Sequence, residues 1–305
     1  MTEKRTLAAL IFAAAIVGGC GTLTGLAYDD APLMVRSGAD EYLGLNESQK
    51  TLLRPRIAAF HAWHRRHELP RYADLAETLG LRIDAGLSDT DIAWALEKGS
   101  EYYRRLASQA VDEALPALMT LTPANIQALD RKLAASTDKL EQEYLGGEPI
   151  QQHARRLRAV RKPLEDWLGE LNAEQRAIIE KYVRVSPQFM PERFTARRQR
   201  NQELVQLMRA YRGTRELGPQ LKRHLLAQEA DHLQRRKRSV AELLVVIDRS
   251  LSVPQRNRIV ARLTRYATEF DALAAVAKDD ARSTHSGVTS DSSIPHRMLL
   301  SRPLP

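Results

Sequence analysis

The chain has 305 residues, of which 43% are hydrophobic, and it carries a formal net charge of +8. This length allows one large domain or two small ones, and the apolar content is sufficient for a core. Helix-forming Leu, Ala, Arg, Glu and Gln dominate while alternating runs of Val, Ile and Thr are missing, so the composition argues against a sheet protein. The single cysteine excludes an internal disulfide.

The N-terminal residues have the three parts of a secretory signal. Lys4 and Arg5 give a positive start, residues 7–17 form an unbroken apolar run, and residues 17–20 read Val-Gly-Gly-Cys, which resembles a bacterial lipobox. The apolar run is too short to cross a bilayer core of about 30 Å. We therefore predict a signal peptide over residues 1–19, a lipid on Cys20 and a tether over residues 20–31.

A helical body is predicted for residues 32–278, and a disordered tail without periodicity for residues 279–305. Two prolines within residues 185–191 mark a linker between two halves of the body. Apolar spacing and helix-start signals predict helices near residues 47–68, 70–84, 89–119, 123–145, 149–168, 173–184, 192–212, 219–250 and 253–277.

Five segments share one pattern that is typical of a helix start. A leucine precedes Asn, Ser or Thr, and Gln, Asn or Asp follows three residues after that. In a capping box the first polar side chain accepts from the first turn, and the second accepts from the N–H of the cap residue. The segments are residues 45–49, 87–91, 121–125, 171–175 and 251–255. The likeness of residues 42–46 to residues 167–172 indicates two related halves.

A narrow apolar seam is predicted near the C-terminus. Apolar residues follow one another there at steps of four, three, four and three, which suits packing along another long helix. They are Ile259, Leu263, Tyr266, Phe270 and Leu273. We therefore predict an all-α fold, an irregular bundle of long, partly kinked helices with capping-box starts behind a cleaved lipoprotein signal peptide.

Basic residues are concentrated in three short runs, at residues 155–158, 197–200 and 235–238. Such runs attract phosphate headgroups, acidic glycans or nucleic acid, and an exported protein does not meet nucleic acid. We favour solvated helix faces over a specific anion site, and leave open an acidic envelope polymer as a partner.

The densest group of chemically versatile side chains is at residues 60–72. On a helix, His61, His64 and Glu68 lie on neighbouring turns and are weak candidates for a metal site. We favour a structural role, in which Phe60 and Trp63 pack inward and the polar residues pair or face water. No Gly-x-Ser-x-Gly elbow, phosphate-binding glycine loop or Cys-x-x-Cys motif is present, so neither catalytic residues nor cofactors are predicted.

The order of several segments resembles a family of Gram-negative bacterial lipoproteins that is defined only as a domain of unknown function. The segments are the lipobox, Leu-Ala-Tyr-Asp-Asp-Ala at residues 26–31, Asp-Glu-Tyr-Leu at 40–43 and Trp-His-Arg-Arg-His-Glu-Leu-Pro-Arg-Tyr at 63–72. The resemblance implies an exported, lipid-anchored helical protein without an assigned activity. Since Gly21, not Asp, follows Cys20, similarity to sorted lipoproteins implies the periplasmic leaflet of the outer membrane.

These features predict a lipid-anchored envelope protein that acts as a non-enzymatic binding or structural module. The membrane is a partner through the lipid, and a protein or an acidic envelope polymer is a further candidate. An alternative is a chaperone, because the helix starts resemble those of periplasmic chaperones with Leu-Thr-x-x-Gln repeats. A metal enzyme that uses His61, His64 and Glu68 is the less favoured alternative.

Overall fold

A computed structural model describes residues 28–185, 190–227 and 231–286, and these residues form eleven helices and no strand. The all-α prediction is confirmed. The predicted signal peptide and Cys20 lie outside the described residues. The helices are α1 (Ala31–Leu43), α2 (Glu47–His67), α3 (Leu69–Ala85), α4 (Asp89–Leu118), α5 (Pro123–Leu145), α6 (Pro149–Leu168), α7 (Ala173–Val185), α8 (Met190–Ala210), α9 (Leu217–Leu226), α10 (Asp231–Arg249) and α11 (Val253–Ser286). None of these described helices combines the length and apolarity needed to span a membrane.

The predicted capping boxes are present at the starts of the helices. Before α2, Asn46 accepts from the Gln49 N–H and Gln49 accepts from the Asn46 N–H. The same exchange joins Asn172 to Gln175 before α7. The remaining three helix starts, before α4, α5 and α11, have it as well.

The structure differs from the predicted helix bounds at three places. Helix α1 was missed; Gly44, at φ 57° in the left-handed region, terminates it. The helix predicted at 219–250 is instead α9 and α10. Helix α11 continues to Ser286, so residues 279–286 belong to it and not to a tail. Tyr28, predicted to lie in the tether, is only 4% exposed and belongs to a core.

The first core joins α3, α6, α7, α10 and α11. It contains the predicted seam, since Ile259, Leu263, Tyr266 and Phe270 are buried and Leu273 is partly buried. Small residues on α3 allow α11 to pack closely, and a Cβ built at Gly80 would lie 3.9 Å from the Leu263 Cβ.

The second core joins α2, α4, α5, α8 and α9 around Leu121, Ile126 and Leu217. Helix α4 is 30 residues long and reaches both cores. Its C-terminal half contributes Val111 to the second core. Its N-terminal half contributes Tyr102, which packs against the first. The long helix therefore connects the two cores.

Each core contains one pair of buried amides at facing helix starts, which we call an amide clasp. In the first core Gln175 Nε2 donates to Gln255 Oε1 at 2.8 Å. In the second core Gln49 Nε2 donates to Asn125 Oδ1 at 3.0 Å. In both pairs the amides come from the third position of two capping boxes that are far apart in the chain. The partners of the two pairs are also similarly far apart in sequence, at 76 and 80 residues.

Candidate binding cavity and its polar wall

An apolar cavity of about 550 Å³ lies beside the second core, lined by residues of α1, α2, α4, α5, α8 and α9. Helices α2 and α4 form its long walls. They are antiparallel, because Gln49 donates to the Thr120 carbonyl at one end and Arg105 donates to Glu68 at the other. Lining residues on α2 extend from Leu53 to His64, about 16 Å at a rise of 1.5 Å per residue. The cavity is therefore elongated along the helix axes.

The cavity exists because α4 turns small side chains toward it. Ala107, Ala110, Ala114 and Ala117 follow one another at steps of three, four and three, and all of them line the cavity. Ala110 is solvent-exposed although it lies on this wall. Because a methyl group fills little volume, α1 and α2 pack around a space and not against α4 along its whole length.

Helix α1 exposes large apolar side chains at the edge of the cavity. Leu33 is 58% exposed and Met34 is 54% exposed, while Met34 and Val35 also line the cavity. A soluble surface normally scatters such residues singly, so three in succession beside an apolar cavity mark an opening or a contact surface.

Three charged side chains line the cavity. Arg56 and Glu113 face each other with 3.9 Å between Nη1 and Oε2, so their charges offset each other. Arg197 donates through Nε to the Thr137 hydroxyl at 3.0 Å and, in the described part of the chain, forms no ion pair with a carboxylate. Among the described residues, Arg197 is thus the one charged side chain of the cavity wall that forms no ion pair.

Two of the predicted metal candidates form one end of the cavity wall. His61 Nε2 donates to the Tyr28 carbonyl at 3.1 Å, and His64 Nδ1 lies 2.9 Å from the Tyr28 hydroxyl. Burial lowers the pKa of His64 to about 3, with the neighbouring His61 adding to the effect, and burial also lowers the pKa of His61. Both imidazoles are therefore neutral near pH 7.

Glu68, the third candidate, is completely buried and pairs with Arg105. The Arg105 Nη2 and Nε donate to its Oε1 at 2.7 and 2.9 Å. Burial, with the Glu68 carboxylate as the next cause, raises the pKa of Tyr72. Glu68 Oε2 and the Tyr72 hydroxyl are buried and have no hydrogen-bond partner among the described residues.

The side chains of His61, His64 and Glu68 therefore have their partners in Tyr28 and Arg105 and not in one another. Within the described ranges, no group of three or more His, Cys, Asp or Glu side chains is arranged to hold a metal ion. The predicted packing also needs refinement, because His64 and Glu68 are more deeply buried than Phe60 and Trp63.

The basic runs are partly paired with acidic side chains. Arg198 pairs with Asp138 and Glu141, and Arg235 pairs with Glu192. Such pairs agree with solvated helix faces. Arg193 differs, because burial lowers its pKa, and so do the like charges of Arg236 and Arg197. The Arg236 and Arg197 guanidiniums therefore lie near Arg193.

Comparison with known proteins places the chain in a family. A family model matches residues 41–235, which include the last three residues of α1, all of α2 to α9 and the start of α10. The chain belongs to DUF6279, a family of unknown function. No curated protein and no solved structure matches it. The residues that match DUF6279 include His61, Glu68, the cavity alanines and Arg197, but the match assigns them no role.

Tyr28, Arg105 and the four alanines of α4 were missed by reasoning from sequence. Arg105 carries no local signal, because its partner Glu68 is 37 residues away. The alanines do carry one, since their spacing of three and four residues marks a single helix face. That face shows which side of α4 is small, but not whether another helix fills the space.

Proposed function

We propose that the protein is a lipid-anchored binding protein of the bacterial envelope, acts without catalysis, and uses the apolar cavity as its binding site. The observation that carries this proposal is the cavity itself. Its volume of about 550 Å³ lies within the range of about 300–1,000 Å³ for small-molecule sites. Its wall is mainly apolar with few polar groups, which is the composition of such sites.

The envelope location rests on the N-terminal sequence. The apolar run before Cys20 and the lipobox support lipidation, and Gly21 supports the outer membrane as the destination. A lipid on Cys20 would hold α1, eleven residues further on, close to a membrane surface. Mass spectrometry of the mature N-terminus tests this step. An N-terminal Cys20 with a diacylglyceryl group on its sulfur and an acyl chain on its nitrogen is expected, and an N-terminus at Met1 would contradict the proposal.

Binding in the cavity is tested with a photoreactive ligand on the full-length protein in its membrane. An uncharged long-chain alcohol that carries a diazirine should label peptides of α1 and α4 that line the cavity. Ala110→Phe fills the cavity from an exposed position and should reduce this labelling about tenfold. Ala93→Phe is the matched control, because Ala93 is exposed on the same helix but does not line the cavity.

Labelling that is absent from the cavity, or equal in the two variants, would contradict the proposal. Circular dichroism of both variants should show that each retains the helical fold.

A chaperone is a second candidate, favoured by the exposed apolar side chains of α1. Leu33, Met34 and Val35 could bind an apolar segment of an unfolded client. A chaperone should slow aggregation of a reduced client protein, and the Leu33→Ser/Met34→Ser variant should lose this effect. No effect of the unmodified protein on aggregation would argue against this role.

A further inference from the structure

We propose that the cavity binds a single-chain amphiphile with an anionic headgroup, with its hydrocarbon chain along the alanines of α4 and its headgroup at Arg197. This inference rests on the proposed function, since it names the ligand class of the same cavity. The ligand chemistry is a long hydrocarbon chain joined to a carboxylate or a phosphate.

The shape and lining of the cavity favour a hydrocarbon chain. The long walls formed by the antiparallel helices α2 and α4 extend side by side over about 16 Å and present Leu53, Ile57 and Phe60 opposite the alanine face. A methylene chain needs no hydrogen bonds, so it can lie along such walls without cost to polar groups. An extended peptide of the same length would bring several N–H and C=O groups that must all be satisfied.

The charges of the wall favour an anionic headgroup. The pair of Arg56 and Glu113 contributes no net charge, and the two histidines of the wall are neutral near pH 7. Arg197 is then the charged group that determines which headgroup the cavity prefers. Within the described residues two of its five N–H donors are used, by the Thr137 and Ser136 hydroxyls. Those two contacts fix the orientation of the guanidinium, and its other donors are left to bind a carboxylate or phosphate.

The test compares two photoreactive probes on the full-length protein in its membrane. One is a diazirine-bearing long-chain fatty acid, and the other is the alcohol with the same chain. The acid should label the cavity peptides of α4 about tenfold to a hundredfold more strongly than the alcohol, as expected for one added hydrogen bond between charged groups. Unlabelled fatty acid and unlabelled lysophosphatidylglycerol are then added as competitors.

Competition by either compound supports the shared chemistry, and the stronger competitor identifies the headgroup as carboxylate or phosphate. Competition by neither would overturn the proposal.

Variants of the charged wall provide the controls. Arg197→Gln should make labelling by the acid no stronger than labelling by the alcohol, while Arg197→Lys should restore part of the preference. The double variant Arg56→Gln/Glu113→Gln removes two charges from the same wall without changing its net charge, so the preference should persist.

Equal labelling by acid and alcohol in the unmodified protein, or a preference that survives Arg197→Gln, would overturn this inference while the proposed function stands. If neither probe labels the cavity, the proposed function fails as well.

Discussion

Removal of one amide from the clasp in the first core should destabilise the protein far more than the loss of an ordinary helix cap. Gln175 is completely buried at the third position of α7. Its side chain accepts from the Asn172 N–H and donates to the Ser250 carbonyl, both at 3.1 Å. It also exchanges hydrogen bonds with the Gln255 amide, at 2.8 and 3.0 Å. Gln175→Ala therefore removes four hydrogen bonds and leaves the buried Gln255 amide without this partner.

The expected cost follows from these four bonds. Each intramolecular hydrogen bond contributes about 0.5–1.5 kcal/mol net, so the loss of four should lower the free energy of unfolding by about 2–6 kcal/mol. Gln151 provides a matched control, because it is also a glutamine at the third position of a capping box. It is exposed and accepts from the Glu148 N–H at 3.2 Å. Gln151→Ala should cost at most about 1 kcal/mol.

Equilibrium urea unfolding followed by circular dichroism measures both effects. A second comparison uses Gln49→Ala, which breaks the clasp in the second core. Because the two clasps share no residue, the costs of Gln49→Ala and Gln175→Ala should add, whereas those of Gln175→Ala and Gln255→Ala should not. A cost at Gln175 no larger than that at Gln151 would refute the argument that the buried clasp stabilises the fold.

Three further changes test the packing and the polar wall. Leu263→Ala should cost about 2–5 kcal/mol in urea unfolding, because Leu263 is buried in the seam between α11 and α3; a negligible cost would mean that the seam is open. Arg105→Met should lower the free energy of unfolding by about 2–4 kcal/mol, because it leaves the Glu68 carboxylate buried and unpaired. This is less than the full penalty for breaking a buried ion pair, because Arg105 is partly exposed. The Glu68→Gln/Arg105→Met double variant, which removes both charges, should cost less than Arg105→Met alone. The pKa of His64 falls to about 3 on folding, so between pH 6.5 and 3 the unfolded chain binds a proton that the folded protein does not. The free energy of unfolding should therefore fall by about 1.4 kcal/mol for each unit of decreasing pH in that window. In His64→Gln this contribution to the pH dependence should be absent.

Local patterns in the sequence predicted the helix starts and the seam because the physics of both is local. A capping box is complete within four residues, so Asn172 and Gln175 identify the start of α7 without any knowledge of its neighbours. The seam of α11 similarly follows from the spacing of Ile259, Leu263 and Tyr266 along one helix face.

The polar side chains at one end of the cavity and beside it could be predicted only in part, because their partners are distant in sequence. His61, His64 and Glu68 are close in sequence, and their shared helix face is visible at once. What each of them does depends on Tyr28, which lies before α1, and on Arg105, which lies in the middle of α4. The sequence around His61, His64 and Glu68 does not indicate which distant residues will pair with them. A metal site and a set of buried pairs therefore give the same sequence pattern.

The pattern of small residues on one helix face does not by itself predict whether a cavity forms beside it. Helix α3 carries Ala73, Ala76 and Gly80 at steps of three and four, and α4 carries its four alanines at the same steps. On α3 the small residues let α11 approach until Leu263 fills the space above Gly80. On α4 the C-terminal alanine Ala117 is buried but Ala110 remains exposed. Helix α1 lies at the edge of the cavity and does not fill the space beside Ala110. A row of small side chains therefore predicts either close packing or a cavity, and the path of the facing helix decides between them.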